Sequence, residues 1–293
     1  MTQTLERPDP ATHAGPGARQ PLFVERPGGR LFAIHHPPHC PASGVGPSGA
    51  AVVYVHPFAE EMNQSRRMAT LQAEALAGLG HGVLMLDLTG CGDSTGEFAE
   101  ARWDTWRDDV LAGCAWLEAR GYGPISLWGL RLGAALAVEA ARARPGMCHR
   151  LMLWQPVVGG RTLLTQFLRL KVAAEMAAGG AETTKSMRAA LAAGQSIEIA
   201  GYELSPALAG ALDEVDLAAA EPPDGIAIDW IEIVADARSG PAPASERVIE
   251  RWREAGLAPN VETVEGEAFW SIQETTLVPA LIERTTALFG PAA

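Results

Sequence analysis

Ile125-Ser126-Leu127-Trp128-Gly129-Leu130-Arg131-Leu132-Gly133-Ala134 is the run that decides how this chain folds. ISLWG is a short continuous apolar stretch, the pattern of a strand buried on both faces of a sheet. It passes through Gly-x-Arg-x-Gly directly into a helical pattern from Leu132 to Arg144. Glycines two residues either side of a centre relieve crowding where a strand turns sharply into a helix. Such a turn holds its central residue strained above the sheet edge. That centre is Arg131. A guanidinium stays protonated and has only donors, so Arg131 cannot act as a nucleophile. It stands where free N–H groups and the helix dipole favour an anion. Two roles are open to it: one half of a salt bridge that fills the site, or a clamp for a carboxylate or phosphate.

Outward from this turn the same alternation repeats. AAVVYVHP, GVLMLDL and RLMLWQPV are further continuous apolar runs, with helical spacing over Gln64–Leu79 and Trp103–Arg120 between them. Apolar strands alternating with helices predict right-handed βαβ units on a mostly parallel, doubly wound sheet. Upstream, PLFVE and RLFAIHHP flank Pro27-Gly28-Gly29 and predict a hairpin. Downstream, AIDWIEIVAD, SERVIERWREAG, NVETVEGE and a last helix to Phe289 resume the pattern. Between them, 159–225 is Ala-rich and mostly helical, with one mixed stretch, SIEIAGYELSPALAGAL. An insertion there is expected to be a helical cap over the C-terminal sheet edge, where ligands bind. The alternative is a helical excursion with no lid role. The expected organisation is a tail over 1–20, a core over 21–158 and 226–293, and the cap. With the glycine-flanked turn in its third βα unit, the fold class is α/β, of the α/β-hydrolase type.

Bulk properties exclude several functions. The net charge of −12 repels nucleic acid and anionic lipid, so any anionic ligand needs a local positive site. Cys40, Cys91, Cys114 and Cys148 form no CxxC pair, which reads as reduced thiols. No metal or cofactor is expected. The N-terminal stretch has no apolar run and reads as a disordered tail rather than a secretory signal. No run approaches the length of a membrane span, so a cytoplasmic location is expected.

The catalytic positions of such a fold follow the order nucleophile, acid, histidine. Of seven histidines the last is His149, ahead of every candidate acid in the later strands. Asp236, after AIDWIEIV, holds the acid position. In the loop Gly266-Glu267-Ala268-Phe269-Trp270, Phe269 takes the expected place of the histidine. A Ser-His-Asp mechanism is therefore excluded by count. The oxyanion position survives in His56-Pro57-Phe58-Ala59-Glu60-Glu61, where Phe58 and Ala59 keep their N–H groups. His56 reads as structural or, alternatively, as a base. Cys91, in the turn Thr89–Gly96, is a thiol nucleophile only if His56 lies within reach. Glu60 and Glu61 read as a solvated helix start, or one of them turns inward to Arg131. Arg131, Leu132, Phe58, Ala59, Glu60 and Glu61 form the expected binding site. Glu60, Glu61, Asp236 and Glu267 are the candidate partners of Arg131.

HPFAEEMNQSRRM, DLTGCGDSTGEF, LWGLRLGA and GYELSP together resemble the second of two α/β-hydrolase-superfamily proteins associated with the exosortase A system. The resemblance runs over roughly residues 20 to 285. It implies a cytoplasmic protein of a Gram-negative bacterium that makes exopolysaccharide and sorts proteins by a PEP-CTERM signal. It also implies a nominal hydrolase of acyl or ester bonds. The residues themselves offer a second reading, a pseudoenzyme that holds an anionic small molecule or carrier through Arg131 in a capped pocket.

Overall fold

The computed structural model describes residues 18–39, 49–236 and 238–290. The expected tail up to residue 17, and Cys40, lie outside them. Strand β1 (Gln20–Arg26) starts within the span read as tail and pairs antiparallel with β2 (Gly29–His36) across the expected turn. The remaining core alternates: β3 (Ala51–Val55), α1 (Glu60–Gly78), β4 (Gly82–Leu86), α2 (Trp103–Glu118), β5 (Ile125–Leu130), α3 (Leu132–Ala143) and β6 (Cys148–Trp154). After the insertion come β9 (Ala227–Val234), α7 (Pro243–Glu254), β10 (Asn260–Glu265) and α8 (Pro279–Phe289). The sheet order is β1-β2-β4-β3-β5-β6-β9-β10, with every pairing from β4 to β10 parallel.

Every residue of β3, β4 and β5 is buried, which is why their sequences are continuous apolar runs. Alternate side chains feed two layers. Val53, Val55, Leu84, Leu127 and Leu153 pack with α2 and α3, and Val52, Tyr54, Trp128 and Trp154 with α1 and α8. The second layer contains an aromatic row running toward the C-terminal sheet edge. Tyr54 and Trp128 stand 4.4 Å apart, Trp128 and Trp154 4.7 Å, Trp154 and Phe269 6.5 Å, and Phe269 and Trp270 5.2 Å. Burial of each such ring contributes about 1.5–3 kcal/mol, so this row fixes the loop that carries Trp270.

The insertion comprises α4 (Gly160–Ala177), α5 (Thr184–Ala192), a hairpin of β7 (Ile197–Ile199) and β8 (Tyr202–Leu204), and α6 (Pro206–Asp213). Aromatic contacts tie it to the core, with Phe167 5.0 Å from Phe58 and Tyr202 5.0 Å from Phe98. Arg102 also donates to Ser205 Oγ at 3.2 Å. No helix among the described residues is long and apolar enough to cross a membrane.

Candidate functional site

Arg131 caps α3 with φ 56° and ψ −118°, the strained turn that the glycine spacing predicts. A Cβ on Gly129 would run into the backbone of Gly133 and Ala134, and one on Gly133 into the carbonyls of Val55 and His56. Both glycines are therefore required for α3 to sit this close to β3 and β5. The strained residue is held by its own backbone. Its N–H donates to Trp154 O at 2.9 Å, and its carbonyl accepts from Ala134 and Val157 at 3.1 and 3.2 Å. A non-glycine residue held there costs about 1–3 kcal/mol, which the surrounding packing must offset. Ala59, at the head of α1, has nearly the same backbone, φ 50° and ψ −126°.

Because α1 begins at Glu60, four residues before the expected start, both glutamates lie in its first turn. Glu61 turns inward. Arg131 Nε and Nη2 both donate to Glu61 Oε1, at 3.3 and 3.2 Å, and the guanidinium stands 5.2 Å from the centre of the Trp270 ring. Burial raises the Glu61 carboxyl above its ordinary range, and the Arg131 charge opposes that rise. Its second oxygen, Oε2, is buried without a hydrogen-bond partner among the described residues, as are Glu60 Oε2 and Gln64 Oε1.

The other candidate partners of Arg131 do not reach it. Asp236 is bound by Arg238 at 2.7 Å in an exposed loop, and that contact lowers its pKa. Arg238, two residues on, captures the acid that was expected to face the elbow. Glu267 is exposed. Phe269 is buried in the aromatic row, and its neighbour Trp270 is the residue of that loop that meets Arg131. The preference of arginine for an aromatic face could have identified Trp270 from sequence.

Neither His56 nor Cys91 is available as a catalytic group. His56 Nδ1 lies 2.7 Å from Pro57 O, and Leu88 N–H donates to Nε2 at 3.2 Å, so backbone groups occupy both ring nitrogens. Those partners assign the neutral Nδ1–H tautomer. Burial lowers the His56 pKa further. Cys91 is buried, and that burial, then Asp87 and Asp109, pushes its thiol up, away from the thiolate a nucleophile needs. Ser94 in the same turn accepts from Phe32 N–H and donates to Asp87 O, a structural role.

Two cavities flank Phe58. The smaller, about 10 Å³, is lined by His56, Ala59, Cys91 and Leu132 among others. The larger, about 530 Å³, is lined by Glu60, Glu61, Gln64 and Arg131 on the core side and by Leu163, Gln166, Phe167 and Leu170 of α4 opposite. Of the six expected binding residues, Arg131, Phe58, Glu60 and Glu61 line the larger cavity, whereas Ala59 and Leu132 border the small void. Among the described residues no group of three or more His, Cys, Asp or Glu side chains could hold a metal ion.

The family model of the serine aminopeptidases, S33 (Hydrolase_4), matches residues 46–198, just over half of the chain. The chain belongs to this family. A bovine mitochondrial palmitoyl-protein thioesterase, ABHD10, is 31% identical over 121 residues, which cover 41% of this chain and 37% of that protein. Human protein ABHD12B is 37% identical over 92 residues, 31% of this chain and 24% of that one. The matches thus span well under half the length of these curated relatives. Among solved structures, Est1E from Butyrivibrio proteoclasticus, seen with ferulic acid bound, superposes with a TM-score of 0.62 at 14% identity, covering 92% of this chain and 96% of that one. XC6422 from Xanthomonas campestris, described as a serine hydrolase without a lid, gives 0.57 at 17% identity, covering 96% and 100%. At such identities the likeness establishes the α/β-hydrolase fold and nothing finer.

Proposed function

We propose that this S33-family chain retains the hydrolase frame, has given up hydrolysis, and binds a small molecule between the sheet edge and α4. The observation that carries this is the guanidinium at the elbow, tied to Glu61. Acyl transfer by this fold needs a nucleophile on the strained turn, a histidine to take its proton and an acid to orient that histidine. Arg131 has no pair of electrons to offer, no histidine follows His149, and the Asp236 carboxylate is held by Arg238.

The segment 159–225 acts in this reading as a cap, since α4 supplies one wall of the cavity. The resemblance over HPFAEEMNQSRRM and its companion motifs supports a place beside the exosortase A and PEP-CTERM machinery, in the cytoplasm. Turnover tests the reading. The purified full chain is assayed with short- and medium-chain p-nitrophenyl esters and with a palmitoyl thioester, the last because the bovine relative is named a thioesterase. Rates at the buffer background are expected for all of them. Saturable turnover of any one would refute the loss of hydrolysis.

A further inference from the structure

The cavity over the elbow has two unlike walls. On α1, Glu60, Glu61 and Gln64 fall at spacings of one, three and four residues and share one stretch of helix surface. On α4, Leu163, Phe167 and Leu170 recur at i, i+4 and i+7 as an apolar stripe, with Leu170 43% exposed at its outer end. One wall therefore offers carboxylate and amide oxygens, the other hydrocarbon.

The charge balance decides what the polar wall accepts. Two carboxylates face one guanidinium, and Arg131 is committed to Glu61 through both Nε and Nη2. Glu60 has no ion pair among the described residues. Glu60, Glu61 and Gln64 each also keep a buried oxygen for which the protein supplies no donor. A carboxylate or phosphate entering here would meet an excess of negative charge and a surplus of acceptors. A group that brings positive charge and several donors would meet the reverse.

We infer that the cavity takes an amphipathic amine, its ammonium head against Glu60 and Gln64 and its apolar body along Leu163, Phe167 and Leu170. An ammonium has three donors and no acceptor, which matches the three unpaired oxygens in number. Its partner is Glu60, leaving the Arg131–Glu61 pair intact. Leu170 at the outer end gives the apolar body a way out, so its length is not limited by the 530 Å³ of the cavity. This rests on the reading above that the cavity is a ligand site. It replaces the anionic ligand expected from Arg131 alone.

Three probes with one eight-carbon chain separate the possibilities: octylammonium, octan-1-ol and octanoate, titrated at pH 7 into the full chain by calorimetry. Octylammonium is expected to bind at least about tenfold more tightly than octanol, with octanoate the weakest. Glu60→Gln should bring the amine to within about threefold of the alcohol, and thermal unfolding checks that this variant is folded. Leu170→Ser should weaken amine and alcohol in parallel. Octanol binding as tightly as the amine would keep the ligand site and overturn the head-group assignment. Tightest binding by octanoate would overturn it in favour of an Arg131 clamp. Failure of all three to bind would overturn the ligand site itself.

Discussion

Two arginine–carboxylate pairs with little exposure are built differently. Arg26, at the end of β1, stands 2.7 Å from fully buried Asp109 on α2. The contact makes no hydrogen bond, so Arg26 Nε and Asp109 Oδ1 have no such partner among the described residues, while the remaining polar atoms of both side chains are bonded. Asp109 Oδ2 accepts from Thr89 N–H at 2.7 Å, and Arg26 donates from its two outer nitrogens to Pro27 O and Thr89 Oγ1. Arg131 and Glu61 share one oxygen, leave the other without a donor, and border a 530 Å³ cavity. The first pair is tied by further hydrogen bonds to the Thr89 turn and links the β1–β2 hairpin to the core. The second has spare hydrogen-bonding capacity beside open space, as expected where a ligand completes the arrangement.

Removing one partner from each pair is the strongest way to break this comparison. Asp109→Ala removes the fully buried carboxylate that partners Arg26 and should lower stability by about 3–5 kcal/mol in urea unfolding. Arg131→Ala should cost less, about 1–3 kcal/mol, because Glu61 borders the 530 Å³ cavity, where water can reach the carboxylate left behind. Equal losses would mean that the second pair is as structural as the first.

Acid titration sharpens the comparison by separating the pairs from their background. His35 and His36 are pushed down to about 4, chiefly by burial. Below about pH 6.5 the unfolded chain protonates them while the folded chain does not, so stability should fall as pH drops from 6.5 toward 4. Asp109 and Glu61, both raised, act with the opposite sign, since their folded forms bind a proton more readily. His35 lies edge-on to Trp116 and Tyr122, so His35→Phe should keep that packing and flatten the slope between pH 4 and 6.5. A slope left unchanged would place the acid sensitivity elsewhere. The smallest effect concerns the turn itself. At φ 56°, Arg131→Gly should be about 1 kcal/mol more stable than Arg131→Ala, because glycine adopts that backbone without strain.

The sequence carried the fold wherever backbone crowding or burial left one solution. Gly129 and Gly133 announce the elbow, and the apolar runs of β3 to β6 announce strands buried on both faces. The side chains of the site were less readable. Ala59 starts α1 with a strained backbone and no capping side chain, so nothing in the sequence marks Glu60 as the first helical residue. Which glutamate turns inward depends on that start. The offset between Phe269 and Trp270 arises in a loop with no periodicity to orient it. Asp236 is lost to Arg238 two residues on, a local competition that strand position alone does not reveal.

The most direct test of a hydrolase frame without hydrolysis is the intact mass of the full chain after incubation with a fluorophosphonate in excess. Such probes add covalently only to a serine activated by a neighbouring base. With Arg131 at the elbow and both nitrogens of His56 held by backbone, an unchanged mass is predicted. A stoichiometric single adduct on any serine would contradict it.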